Sequence, residues 1–255
     1  MHLLVTNDDG VTAPGLHALA VELQKYFKVT ILAPDRNWSA SGHSKTLHRP
    51  LRVSEVLLED QTIAFTTDGA PSDCVALAML GLIPEKIDLV VSGINPHANI
   101  GHDVTYSGTV TAALEAAIWG IPGIAVSLDS PENYIGDLDY GPAARVAKMV
   151  VDQVIRHQVG NKTVLNVNVP YLPDDQIKGF HITRQGLRVY RQRLDRRNDP
   201  RGKPYFWLSG DTPTAIPEEG TDFGSLTNGY VSITPLKLDL TAGDMLATMQ
   251  DWDWE

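Results

Sequence analysis

Residues 4–10 read Leu-Val-Thr-Asn-Asp-Asp-Gly, an apolar strand pattern that runs straight into two adjacent carboxylates, Asp8 and Asp9. Two ionised carboxylates side by side repel each other, so a fold that sets them at a strand end calls for a counter-charge. A hard divalent cation supplies one, because it takes oxygen ligands and neutralises the pair. The plainer reading is an Asp-Gly surface turn, and these residues alone do not exclude it.

Three further stretches carry donors. Pro34-Asp35-Arg36-Asn37-Trp38-Ser39-Ala40-Ser41-Gly42-His43-Ser44 follows a second apolar run, and Ser92-Gly93-Ile94-Asn95 follows a later one. In an open parallel sheet, ligands bind outside the carboxyl ends of the strands, so both stretches are expected to converge with Asp8 and Asp9. Carboxylates, hydroxyls and a carboxamide are hard donors that suit Mg²⁺ or Mn²⁺ better than zinc. Taken singly, Ser39 reads as a loop hydrogen-bonder and Asn95, before Pro96, as a turn residue. His43, His97 and His102 read as loop hydrogen-bonders, and no His-x-x-x-His helix pattern supports zinc. The third stretch, Tyr106-Ser107-Gly108-Thr109-Val110-Thr111, opens a helix pattern. Free amides and the helix dipole at such an end attract anions, Ser and Thr add donors, and Gly108 permits close approach. The plain reading is a Ser N-cap. No Gly-x-x-x-x-Gly-Lys-Ser/Thr occurs, nor a Gly-x-Gly-x-x-Gly after the first strand, which disfavours hydride transfer.

The elements that must position these residues alternate. Strands are expected at His2–Thr6, Val29–Ala33, Ile63–Thr66, Asp88–Ser92, Ile124–Ser127 and Val164–Val169, and helices at Gly15–Phe27, Ser72–Leu80, Thr109–Trp119 and Gly141–His157. Continuous apolar runs such as Leu89-Val90-Val91 imply burial on both faces of a parallel sheet. The expected class is therefore α/β, a Rossmann-like doubly wound, mostly parallel sheet. After Pro170 the texture turns polar and aromatic. A core over residues 1–170 is expected, with a C-terminal extension over 171–255: a hairpin arm including Gly179–Arg184 and Tyr205–Ser209, a strand at Tyr230–Thr234 and a helix at Ala242–Met249. Tyr205, Phe206, Trp207 and the strand at Tyr230–Thr234 need partners, which exchange between subunits would supply, giving a homodimer or homotetramer.

The 255 residues carry a net charge of -10, which argues against duplex nucleic acid as a partner. The one basic cluster, Arg184, Arg188, Arg191, Arg193, Arg196, Arg197 and Arg201, reads first as a solvated or acid-paired arm and second as a docking site for polyanions or an acidic partner. The single cysteine, Cys74, lies in an apolar helix pattern and excludes an intrachain disulfide. No apolar stretch reaches the roughly eighteen residues of a membrane span, so no membrane association is expected. No secretory pattern opens the chain, and a cytoplasmic location is expected.

Together these motifs resemble the SurE family, the survival-protein-E acid phosphatases that act as 5′/3′-nucleotidases. The resemblance rests on Thr6-Asn7-Asp8-Asp9-Gly10, Ala33–Ser39, Ser92–Asn95 and Tyr106–Val110. It continues through Asp199-Pro200-Arg201-Gly202, Tyr205-Phe206-Trp207, Gly220-Thr221-Asp222 and Ser232–Leu236. It implies a Rossmann-like core, one divalent metal ion per subunit held by Asp8, Asp9, Ser39 and Asn95, nucleoside monophosphate substrates, and assembly through the C-terminal region. Catalysis would rest on Asp8, Asp9 and Asn95, and phosphate binding on Asn7, Ser107, Gly108 and Thr109. Two stretches depart from common family patterns, Asn99-Ile100-Gly101-His102-Asp103 and Ala40-Ser41-Gly42-His43-Ser44. His43 and a metal-bound water are both open as the acid for the leaving alkoxide. Two competing readings are an aspartyl-phosphate mechanism, disfavoured by Asp-Asp in place of Asp-x-Asp, and a nucleotide- or metal-binding module without turnover.

Overall fold

The structure, a computed structural model, describes residues 1–160, 162–190, 192–210 and 214–254. The chain runs β1 (His2–Thr6), α1 (Pro14–Gln24), β2 (Lys28–Pro34), β3 (Val53–Leu57), β4 (Ile63–Thr67), α2 (Pro71–Leu77), β5 (Leu89–Asn95), α3 (Gly108–Ile118), β6 (Gly123–Asp129), α4 (Gly141–His157) and β7 (Thr163–Pro170). It continues with β8 (Phe180–Ile182), β9 (Arg188–Val189), β10 (Gln192–Asn198), β11 (Pro204–Gly210), β12 (Thr214–Ala215), α5 (Asp222–Thr227), β13 (Val231–Lys237) and α6 (Gly243–Gln250).

A nine-stranded sheet has the order β3-β4-β2-β1-β5-β6-β7-β13-β8. Neighbours from β4 through β7 are parallel, and β3 and β13 pair antiparallel with β4 and β7. Both faces are covered, as the continuous apolar runs require. Leu3 and Val5 enter one core with Leu16, Leu19 and Leu23 of α1 and Val150, Val151 and Val154 of α4. Leu4 and Val90 enter the other with Cys74 and Val75 of α2 and Ala112 and Ala116 of α3. The Cys74 thiol is fully buried and its pKa is pushed far up by burial. In α4 the buried positions recur at helical spacing, Arg156 and His157 sit in the last turn, where the dipole favours cations, and a left-handed Gln158 ends the helix.

β1 is the pivot. From it the chain winds to β2 and β4 on one side and to β5, β6 and β7 on the other, so the carboxyl ends of β1 and β5 flank the point where strand order reverses. The stretch Ser92–Asn95, expected just after a strand, lies inside β5 instead. Register with β6 shifts between Ser92 and Asn95, an irregularity of the kind that re-aims a side chain. The Gly93-Ile94 peptide there is cis. Only glycine serves at position 93, since φ is +138° and a Cβ would stand 2.3 Å from the Val126 carbonyl oxygen.

The strand expected at Tyr230–Thr234 finds its partner within the chain. β13 pairs with β7 from Ser232 to Lys237, with Ile233 opposite Val167, because β7 otherwise leaves an open edge beside the core. β8 then adds outside β13. The β10–β11 hairpin leaves the sheet altogether, and Leu194, Phe206, Trp207 and Leu208 are exposed on it. The arginines follow the acid-paired reading in part: Arg184 meets Glu218, Arg188 meets Asp103 and Arg193 meets Asp195. Arg191 lies outside the described residues.

Candidate active site

Beyond the carboxyl ends of β1 and β5 lies a cavity of about 340 Å³ lined by Asp8, Asp9, Asn37, Ser39, Asn95 and Ser107, among others. Four separate stretches of sequence thus meet at the strand-order reversal. Of the expected site residues, these include both carboxylates, Ser39, Asn95 and Ser107. Asn7, Gly108 and Thr109 stand behind the cavity wall.

Asp8 is almost wholly buried, with its backbone carbonyl accepting from the Trp38 amide at 2.7 Å. Thr109, fully buried, donates its hydroxyl to Asp8 Oδ1. The N-terminus of α3 therefore faces a protein carboxylate. Gly108 makes this approach possible, since a Cβ there would lie 2.6 Å from Asp8 Cβ. Burial raises the Asp8 pKa, and the hydrogen bonds from Thr109 and the amides of Gly108 and Thr109 oppose it. Ser107 caps the helix by accepting from the Val110 amide at 3.1 Å. Asn7 closes the turn beneath the acids: its Nδ2 donates to the Gly10 carbonyl at 3.0 Å, and its Oδ1 accepts from the Gly10 amide at 3.2 Å.

Asp9 is half-buried, and desolvation followed by the neighbouring Asp8 charge pushes its pKa up to about 7. Among the described residues its one side-chain hydrogen bond comes from Asn37 Nδ2, at 3.4 Å. Among the described residues neither acid is ion-paired with Lys, Arg or His. Nor, among those residues, do three or more His, Cys, Asp or Glu side chains gather at one point. Two uncompensated carboxylates beside a hydroxyl and a carboxamide fit a hard, oxygen-seeking divalent cation, with Asp8, Asp9, Ser39 and Asn95 as the residues to hold it.

The surrounding loops are held from several sides. Asn37 Oδ1 accepts from the Ser39 amide at 2.7 Å. Gly42 donates to the Tyr106 carbonyl at 2.9 Å, and Thr111 donates to the Gly42 carbonyl at 3.0 Å. His43 does not line the cavity. Its Nε2 stands 2.9 Å from Glu115 Oε2, and Glu115 also accepts from Lys45 at 2.6 Å and Trp119 at 2.9 Å. This removes the motive for His43 as the leaving-group acid. The segment after Asn95 is pinned by buried asparagines: Asn168 accepts from the Asn99 amide at 2.8 Å, and Asn166 donates to its carbonyl at 2.8 Å.

Sequence reasoning missed Asn37, Asn99 and Asp103, which also line the cavity. A signal existed for Asn99. Asn166 and Asn168 alternate with apolar residues inside a buried strand, where carboxamides need partners. Asp103 carried no local signal, for its contacts come from far along the chain, with Arg188 Nε at 2.7 Å and Tyr190.

The chain is similar to known proteins over nearly its whole length. The family profile described as Survival protein SurE matches residues 3–192. A protein of Chloroflexus aggregans named 5′-nucleotidase SurE is 46% identical over 255 residues, covering 100% of both chains. One of the same name from Herpetosiphon aurantiacus is 47% identical over 254 residues, covering 100% of this chain and 99% of its own. The crystal structure of the SurE protein from Aquifex aeolicus superposes with a TM-score of 0.81 at 41% identity, covering 98% of each chain.

Proposed function

This chain belongs to the SurE family, and from that premise we propose that it is a phosphoric monoester hydrolase that removes phosphate from nucleoside 5′- and 3′-monophosphates. The relatives' name, 5′-nucleotidase, supports the substrate class. The proposal includes one divalent cation per subunit, Mg²⁺ or Mn²⁺, held by Asp8, Asp9, Ser39 and Asn95. The observation that carries it is the pair of adjacent, uncompensated carboxylates at the strand-order reversal, both with raised pKa. When bound, such an ion supplies positive charge against the phosphoryl oxygens.

The chain's own residues have separable tasks. Thr109 and the start of α3 orient Asp8. Asp9, half-buried and, among the described residues, hydrogen-bonded through its side chain to Asn37 alone, is the carboxylate free to accept a proton from an attacking water at one of its oxygens. Asn95, at the end of β5, presents its carboxamide while its Nδ2 donates to the His97 carbonyl at 2.5 Å, which fixes the side chain. Ser107 lines the cavity with Asp8 and is the residue placed for a phosphate contact.

Assembly into a homodimer or homotetramer belongs to the same proposal and is supported by the exposed apolar hairpin. So does a cytoplasmic location. Among the described residues no helix is long and apolar enough to cross a membrane. The test is a phosphate-release screen over nucleoside monophosphates and p-nitrophenyl phosphate, with Mg²⁺, Mn²⁺ or chelator. Release that depends on the divalent ion is expected. Full activity after exhaustive chelation sinks the metal assignment, and no release from any nucleotide sinks the substrate class.

A further inference from the structure

Asn166 and Asn168 interrupt an otherwise apolar stretch of β7, on either side of Val167, and both are wholly buried. Apolar side chains at both places would continue the core and avoid desolvating two carboxamides. Asn166 is only half satisfied. Its Nδ2 donates to the Asn99 carbonyl at 2.8 Å, but its buried Oδ1 has no hydrogen-bond partner among the described residues. A buried acceptor without a donor is destabilising, so stability does not explain the pair.

What the pair holds is one residue of the cavity wall. The Asn99 amide donates to Asn168 Oδ1 at 2.8 Å, and the Asn99 carbonyl accepts from both carboxamides, from Asn166 at 2.8 Å and Asn168 at 3.1 Å. The Asn99 side chain donates to Ser127 Oγ, wholly buried on β6, at 2.7 Å. Both backbone groups and the side chain of Asn99 are therefore fixed by β6 and β7. The same row of the sheet begins at Asn95, whose register partner is Ser127, itself the partner of Asn168. The chain thus leaves β5 at one end of this row and returns to it four residues later. Between these points Asn95 Nδ2 donates to the His97 carbonyl at 2.5 Å, and the Pro96 carbonyl accepts from Ser130 Oγ at 2.6 Å. The next turn is held as well, since the Gly101 amide donates at 2.8 Å to Asp222, which is wholly buried. Among the described residues Asn95 Oδ1, the atom a hard cation would take, accepts no hydrogen bond.

Resting on the metal-dependent reading above, we propose that Asn166 and Asn168 are positioning residues for Asn95. Through the backbone of Asn99 and His97 they hold the Asn95 carboxamide where the divalent cation binds. Neither touches the cation or the substrate. Groups that orient metal ligands in this way are worth about ten- to a hundredfold in metal affinity.

Mn²⁺ binding, followed by paramagnetic resonance without substrate, tests this. Asn168→Ala should bind Mn²⁺ about tenfold or more weakly than the intact protein. Asn95→Ala should also bind weakly, and the double variant no more weakly than Asn95→Ala alone, because a residue that acts through Asn95 then has nothing to act on. Val154→Ala, a truncation in the core under α4, is the comparison: a lower melting temperature with Mn²⁺ affinity unchanged. Asn166→Val removes the unpaired Oδ1 and one donor to Asn99. Its melting temperature in chelator should hold or rise while its Mn²⁺ affinity falls, opposite movements that a purely structural residue would not produce. Intact affinity in Asn168→Ala, or additive losses in the double variant, overturns the role. Should Asn168→Ala not fold, unchanged Mn²⁺ affinity in Asn166→Val overturns it. Absence of Mn²⁺ binding by the intact protein would instead strike the metal reading. Hydrogen exchange of residues 95–103 in chelator then still judges the brace: it should quicken about tenfold in either asparagine variant, and unchanged exchange overturns it.

Discussion

The two neighbouring acids at the end of β1 are treated differently by their surroundings. Asp8 is buried and oriented by Thr109, while Asp9 is half-buried and, among the described residues, hydrogen-bonded through its side chain to Asn37 alone. Asp9→Asn removes charge from the proposed metal shell without changing shape. Turnover should fall by about a hundredfold or more, while thermal stability in chelator stays equal or rises because repulsion with Asp8 is relieved. Scanning calorimetry beside rate measurement checks both halves. An unfolded variant whose folded fraction keeps full specific activity would make Asp9 structural. Gly108→Ala gives an independent check at the same spot. In an exposed helix interior, replacing Gly by Ala gains up to about 1 kcal/mol. At Gly108 the added Cβ would meet Asp8 Cβ at 2.6 Å. We therefore expect loss of stability and at least a tenfold loss of turnover. A more stable, fully active Ala variant would show that Asp8 is free to move.

At the scale of elements, the segment carrying Ser39 is tied to α3 through Glu115. Burial alone would raise the Glu115 pKa, but hydrogen bonds from His43, Lys45 and Trp119, with the charge of Lys45, outweigh it and hold the carboxyl at about 2. The folded-state value lies below the ordinary value of 4.5, so the clamp contributes its full stability above about pH 4.5. That contribution is lost as pH falls towards 2. Glu115→Gln should therefore cost about 1.5–3 kcal/mol at pH 7, show a shallower loss of stability between pH 4.5 and 2, and expose residues 39–45 to protease. Identical acid limbs for the two proteins would refute the clamp. The elements themselves were legible to different degrees. β1 and α4 begin and end where composition and periodicity put them, because burial on both faces and a helical stripe leave strong patterns. β3 went unseen because it is a mostly exposed edge strand that leaves no apolar run. The carboxylates, Ser39 and Asn95 were legible as hard donors at strand ends. The place of Thr109, Glu115 and Asp222 was not, since each acts through a partner far along the chain, and sequence spacing carries no trace of it.

For the whole molecule, the core and the C-terminal segment meet at the cavity walls. Arg188 and Phe223, from the extension, complete a space begun by His97 and Asp129. A cut through residues 185–225 would therefore damage the site as well as assembly. Removing only residues 193–209, the exposed hairpin, separates the two roles, since Gln192 and Gly210 already face each other across β10 and β11. Sedimentation at low micromolar concentration should find the intact protein well above its 27.9 kDa chain mass and the shortened one smaller. Turnover on p-nitrophenyl phosphate should largely survive the cut. A clean monomer of the intact chain would leave the hairpin's exposed Leu194, Trp207 and Leu208 to be explained as a cover over the site.

The seat of β13 between β7 and β8 bears on how the protein is made. During synthesis β8 leaves the ribosome about fifty residues before the strand it must pair with, and it has no place on the growing sheet until then. β7 meanwhile presents a bare edge beside an already assembled apolar core. The nascent protein thus passes through a stage at which most of the catalytic donors are present but one border of the sheet is adhesive. A message truncated just before codon 231 should yield chains that bind one another or a chaperone, whereas one truncated after codon 240 should release protein that closes its own border.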